Sequence, residues 1–176
     1  MMKKCLVALT VISLSLFGCH HDKSKEICTK AENVLSDKLT ETLAEAFNQG
    51  ATFGSGIDDI QLGKTDADKD WIRNHVISMK LIKAEKNQSD GSYTCNYVVK
   101  IDTSEFLNLP SVKHLEEISP QLKQTIEQQK HILKDAVEYD VVNIKVKELG
   151  GGLLDVTVVD SKRITKKEYE AAKPIK

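Results

Sequence analysis

Apolar residues are arranged in three ways along this chain: a dense run near the start, recurrence at helical spacing, and strict alternation. The run is Leu6 to Phe17, behind the basic head of Lys3 and Lys4. Helical spacing follows. Ile27, Ala31, Val34, Leu35, Leu39 and Ala46 keep the 3.6-residue period, which predicts a helix from about Ser24 to Asn48, ended at Gly50. Residues 50 to 63 carry several glycines and no strong period. Thr65 and Asp68 then make a capping pair for a short helix reaching about Arg73. Alternation begins at about His75 and runs to Lys83, then resumes from Ser92 to Asp102, with Asp90-Gly91 between as a hairpin signal.

Pro110 and Ser111 open a helical or loop segment toward Ile118. Ser119-Pro120 reads as an N-cap followed by proline at the first helical position. The helix it starts carries Leu122, Ile126, Leu133 and Val137 on one face. A second hairpin follows: Asp140 to Glu148 with Val142, Ile144 and Val146 alternating, then Leu153 to Asp160 with Leu154, Val156 and Val158, turned at Gly150 to Gly152. The order is helix, hairpin, helix, hairpin. An antiparallel sheet that buries one face under helices gives a two-layer α+β sandwich in a single domain. The domain is expected over 26–165, with a polar, at most briefly helical tail over 166–176.

The leading apolar run is about twelve residues, against roughly 20 for a membrane-spanning helix, so it reads as an export signal. It closes on Leu16-Phe17-Gly18-Cys19, and this layout resembles the signal peptide of bacterial lipoproteins. Leu16, Gly18 and Cys19 sit where that family has them, and Phe17 stands where a smaller residue is usual. The resemblance covers residues 1–19 alone. It implies removal of residues 1–18 and lipidation of Cys19 by a diacylglyceryl thioether and an N-terminal acyl chain such as palmitate. Residues 19–25 then form a polar tether. Asp after the cysteine marks inner-membrane retention in Gram-negative members. His20 stands there, so the resemblance implies the outer membrane, with the domain facing the periplasm.

That processing removes Cys5 and consumes Cys19, leaving Cys28 and Cys95 in an oxidising compartment, where a pair is expected to bond. Their positions agree: Cys28 falls with Leu35, Leu39 and Ala46 on the helical stripe, and Cys95 alternates with Tyr93, Tyr97, Val99 and Ile101.

Composition narrows the function classes. Lysine and arginine total 25 against 26 aspartates and glutamates, and loss of Lys3 and Lys4 makes the remainder more acidic, so nothing recommends nucleic acid. A single Trp argues against an extensive carbohydrate-stacking surface. Candidate chemistry is thin. Gly63-Lys64-Thr65 matches the end of a P-loop, but Asp58 stands where its first glycine belongs. Asp66, Asp68 and Asp70 alternate like an EF-hand opening, yet Trp71 and Ile77 occupy its glycine and glutamate positions. His20, His21 and Asp22 lie in the tether with no fourth ligand fixed, and His114, Glu117 and His131 lack metal-ligand spacing. Asp58-Asp59 and Glu116-Glu117 are adjacent, so their side chains diverge in regular structure.

No metal and no cofactor beyond the lipid on Cys19 is expected, and no catalytic residue. The 50–63 connection is the segment singled out for binding, through Phe53, Ile57, Ile60 and Leu62, four apolar side chains with no helix or strand of their own; folding back to cap the core is the competing role. The expectation is a non-enzymatic, outer-membrane-anchored lipoprotein that binds an envelope protein, as an inhibitor, immunity protein, exclusion factor or assembly accessory. The alternative is a carrier or sensor of a small apolar ligand, held in a pocket between helix and sheet.

Overall fold

The computed structural model describes residues 23–50 and 62–175. Four antiparallel strands form one sheet in the order β1-β2-β3-β4: β1 Ile77–Lys86, β2 Tyr93–Asp102, β3 Val137–Glu148 and β4 Leu154–Arg163. The chain is α+β, as the alternating and helical patterns imply. Helix α1, Lys23–Gly50, lies on the sheet face carried by Tyr93, Cys95, Tyr97 and Val99 of β2 and Val142, Ile144 and Val146 of β3. Register places Cys95 opposite Ile144 and Tyr97 opposite Val142, so the apolar positions of both strands fall on one face.

The α1 seam is Ile27, Cys28, Ala31, Leu35 and Ala44, with Leu39, Leu43 and Phe47 partly buried beside it. Ala46, expected on this stripe, is exposed, and Ala44 takes its place. The i+3/i+4 rows through Ala31, Leu35 and Leu39 run on to Leu43, Ala44 and Phe47 and leave Ala46 on the outer side. Tyr97 donates its hydroxyl hydrogen to the carbonyl of Cys28, which gives that buried ring a partner for its polar end.

Helix α2, Asp66–Trp71, starts as expected, with the Thr65 hydroxyl accepting from the Asp68 amide at 3.1 Å. The side chain of Asp68 does not reach back to complete a box. It is fully buried and accepts from the Ser111 amide at 3.0 Å, so it caps a different helix. The chain continues as a π-helical turn, Ile72–Val76, that turns Ile72 and Val76 inward. His75 therefore lies on this turn, exposed, and β1 begins two residues later than its alternation suggests.

A 3-10 turn, Thr103–Asn108, leads to α3, Pro110–Ile118, and α4, Pro120–Leu133. Ser119 caps α4 through the Leu122 amide, with Pro120 at the first position, as its sequence predicts. Val112, Leu115 and Ile126 extend the core at this end. Val137, expected on the α4 face, opens β3 instead.

The tail is briefly helical, as expected, and it packs on the sheet, which its polar sequence does not suggest. Residues 166–171 form helix α5, Lys166–Ala171, with a complete capping box between Thr165 and Glu168. It docks on the sheet face opposite α1. There Tyr169 is buried, its ring 5.1 Å from that of Tyr139, with Lys80 Nζ 4.1 Å from its centre. Beyond it, the Ile175 amide donates to the Leu81 carbonyl at 3.0 Å, which ties the chain end to the β1 edge. The domain therefore extends past residue 165, and the polar spacing of the tail hides one aromatic anchor.

Candidate functional site

The sequence-derived site residues fall into three groups. Cys19, Phe53, Ile57 and Ile60 lie outside the described residues, as do His20, His21, Asp22 and the Asp58-Asp59 pair. Leu62 is described and buried, packed into the core with α1. It is thus not available to a partner. An isobutyl group in the core gains more from leaving water than from staying in it. Gly63 follows at φ +76°, where an added Cβ would lie 3.4 Å from the Ala44 Cα and carbonyl oxygen. Its glycine serves a close approach to α1, not a phosphate.

The third group is the cysteine pair. Cys28 and Cys95 join α1 to β2 with Cα atoms 5.6 Å apart and a sequence separation of 67, and both are fully buried. Their place on the inner faces of helix and strand makes this a staple of the core. Close by, burial pushes the Glu32 carboxyl above its ordinary 4.5, and burial followed by the charge of Glu32 pushes the Tyr97 phenol upward.

The other candidates disperse. Asp70 pairs with Arg73 at 2.8 Å while Asp68 points inward to Ser111, so the three aspartates face no common centre. His114 and Glu117 sit 3.8 Å apart on an exposed surface, and Glu116 pairs instead with Lys130 at 2.8 Å. Among the described residues no group of three or more His, Cys, Asp or Glu side chains could hold a metal ion. None of the helices among them is long and apolar enough to cross a membrane. Trp71 is engaged on its ring and at its edge: His75 stacks at 3.9 Å, Lys113 Nζ lies 4.7 Å from the ring centre, and the indole N–H donates to the Glu105 carbonyl at 3.2 Å. A shallow cavity of about 380 Å³ lies among Glu41, Ala44, Glu45, Lys64 and Lys69, with a mostly polar lining.

What remains is a surface the sequence reading missed, along β4. Strand β4 closes one edge of the sheet. From Thr157 to Arg163 every residue is exposed, so among the described residues nothing covers either face of this half-strand. Val158 and Val159 are 49% and 63% exposed, and Leu149 and Leu153 at the β3–β4 turn are 64% and 68% exposed. The register shifts between Asn143 and Ile144: Val158 faces Ile144, Asp160 faces Asn143, and Val159 is the extra residue. The signal was present in the sequence, since Val158-Val159 breaks the alternation that Val156 begins. The two sheet edges are unlike. β1 is met by the chain end at Leu81, whereas along β4 the Val156 carbonyl accepts from Lys38 of α1 at 2.6 Å.

At the β3–β4 turn the first residue of α1 meets the sheet: Lys23 pairs with Glu148 at 2.9 Å, and Tyr93 donates to the same carboxylate at 3.4 Å. The bond from Lys23 holds Glu148 below the usual carboxylate range, and Glu148 in turn raises Lys23. The β1–β2 turn stands at the same end, joined to β3 by Lys145 and Asp90 at 2.6 Å. That pairing, with the Ser92 hydroxyl, keeps the Asp90 carboxyl far below its ordinary range.

No family model, curated protein or solved structure matches the chain.

Proposed function

We propose that this chain is a non-enzymatic lipoprotein, anchored through Cys19 at the outer membrane on the periplasmic side, whose domain binds an envelope protein along β4. The observation that carries the reading is the bare half-strand Thr157 to Arg163. A sheet edge presents a row of backbone donors and acceptors that templates another strand, and natural edges are normally short, charged or covered. This one is ten residues long and, although it carries charges, it exposes two valines in succession. An extended segment of a partner would gain backbone hydrogen bonds from the edge and specificity from Val158 and Val159, the mode known as strand addition. The charges of Asp155, Asp160, Lys162 and Arg163 flank the valines and supply a polar rim.

The reading of an apolar-ligand carrier gains no such support. Leu35, Tyr97, Ile144 and Val146 fill the space between α1 and the sheet, and the cavity beside Glu41 and Lys69 is polar.

The test is crosslinking in living cells from a photoreactive residue at Val159, with Lys123 on α4 as the control position. A discrete adduct with a second protein is expected from Val159 and not from Lys123. The double substitution Val158→Lys, Val159→Lys should abolish it while the chain stays folded, because both residues are about half or more exposed and neither belongs to the buried core. Recovery of monomer alone, or only of a second copy of this chain, overturns the proposal. The anchor has its own test: globomycin should cause the uncleaved precursor to accumulate, and unchanged processing refutes lipidation at Cys19.

A further inference from the structure

The geometry points to a second membrane contact: the β3–β4 hairpin tip, Leu149 to Leu153, seats in the lipid interface beside the acylated cysteine. This rests on the proposed lipidation of Cys19 and adds to it an orientation of the domain. Three residues separate Cys19 from Lys23, and four Cα steps span at most about 14 Å of extended chain. Lys23 is the first residue of α1, and its ammonium group pairs with Glu148, the residue directly before Leu149. A bilayer that holds the acyl chains of Cys19 is therefore within reach of the hairpin tip.

The tip is built for that medium. Leu149 and Leu153 are among the most exposed large apolar side chains of the described residues, and they flank three glycines. The Leu149 amide donates to the Leu153 carbonyl at 3.0 Å and the Leu153 amide to Gly150 at 3.2 Å, so the turn satisfies these amides internally. Gly150, Gly151 and Gly152 all have positive φ, with nothing within 4 Å of an added Cβ, so the tip is narrow as well as apolar. The neighbouring β1–β2 turn at the same end, Asn87 to Ser92, is wholly polar. Two hairpins thus end side by side, one suited to water and one to lipid. With the tip in the interface, β4 rises away from the membrane and presents Thr157 to Arg163 to the aqueous side.

The experiment uses the acylated full chain in vesicles of phosphatidylethanolamine and phosphatidylglycerol whose acyl chains carry nitroxide quenchers. Leu153→Cys offers a single reactive thiol for an environment-sensitive fluorophore, because Cys28 and Cys95 are bonded and buried. Lys123→Cys on α4 is the control, and intact-protein mass establishes the fatty acid on Cys19. The label at 153 should lose about half or more of its emission to the lipid quencher and shift to the blue, while the label at 123 does neither. A second substitution, Leu149→Ser, should reduce the quenching at 153. An acylated protein whose label at 153 behaves like that at 123 overturns the hairpin contact and leaves the anchor standing. A protein without fatty acid on Cys19 removes the anchor, and this inference with it.

Discussion

Glu32 illustrates how a single half-buried residue sets a pH dependence. Its carboxyl is raised by burial, with no cation among the described residues bonded to it, so the folded chain holds that proton more tightly than the unfolded chain does. The sign follows from linkage. Stability contributed by this site is full below the unfolded value near 4.5 and falls as pH rises through the elevated folded value, after which it is level. Glu32→Gln removes the titration. The variant should therefore match the parent in urea at low pH and exceed it increasingly across that window, with a constant gap above it. A gap independent of pH would contradict the assignment. Asp68 works differently at the same scale: its buried oxygen satisfies the Ser111 amide at the start of α3, a role its position in an alternating aspartate triplet does not suggest.

Between elements, the tie that matters most is Cys28 to Cys95. It fixes α1 to β2 across 67 residues of chain. Opening a loop of that length raises the entropy of the unfolded ensemble, so Cys28→Ser with Cys95→Ser should lower unfolding free energy by about 4 kcal/mol. Denaturant titration reads this directly. Since both sulfurs are buried, mild reductant should leave the native bond intact and act only as the chain unfolds; rapid reduction under native conditions would refute that placement. The pairing was legible before the fold was known because each cysteine sits in phase with its own apolar pattern. Periodicity also gave α1, the two hairpins and the Ser119 cap, since each depends on residues near one another in sequence. It failed at the π turn, where Ile72 to Val76 form neither strand nor α-helix, because packing of Ile72 and Val76 overrides local preference.

At the scale of the whole molecule, the sheet has one face filled by α1 and the other closed in part by α5. Tyr169 is the anchor of the second contact, touching Tyr139, Lys80 and Ser78. Tyr169→Ala should cost about 2 kcal/mol and release residues 166–175, leaving the α1 side of the sheet intact. Hydrogen exchange would then show faster exchange of the Ile175 amide with little change in the core of β2. Uniform loss of protection would instead mean that the tail is integral to global folding. The same two-sided view explains β4: α1 covers it as far as Val156, α5 lies with β2 and β3, and the half-strand beyond is left to solvent or to a partner.

The amino-acid order alone settled α1, α4, the two hairpins, the α+β class and the inward direction of Cys28 and Cys95, because helix and strand periods are properties of neighbouring residues. It did not settle which apolar groups would be left outside. Leu62, with no element of its own, is buried in the core, while Val158, in an alternating strand, stands on the β4 edge. That difference depends on which helix reaches which strand, and residues distant along the chain decide it. Only the tertiary structure brought Lys23 beside Glu148 and set the Leu149–Leu153 tip at the end where the chain leads back toward Cys19, since that proximity is created by the sheet register and by no local pattern.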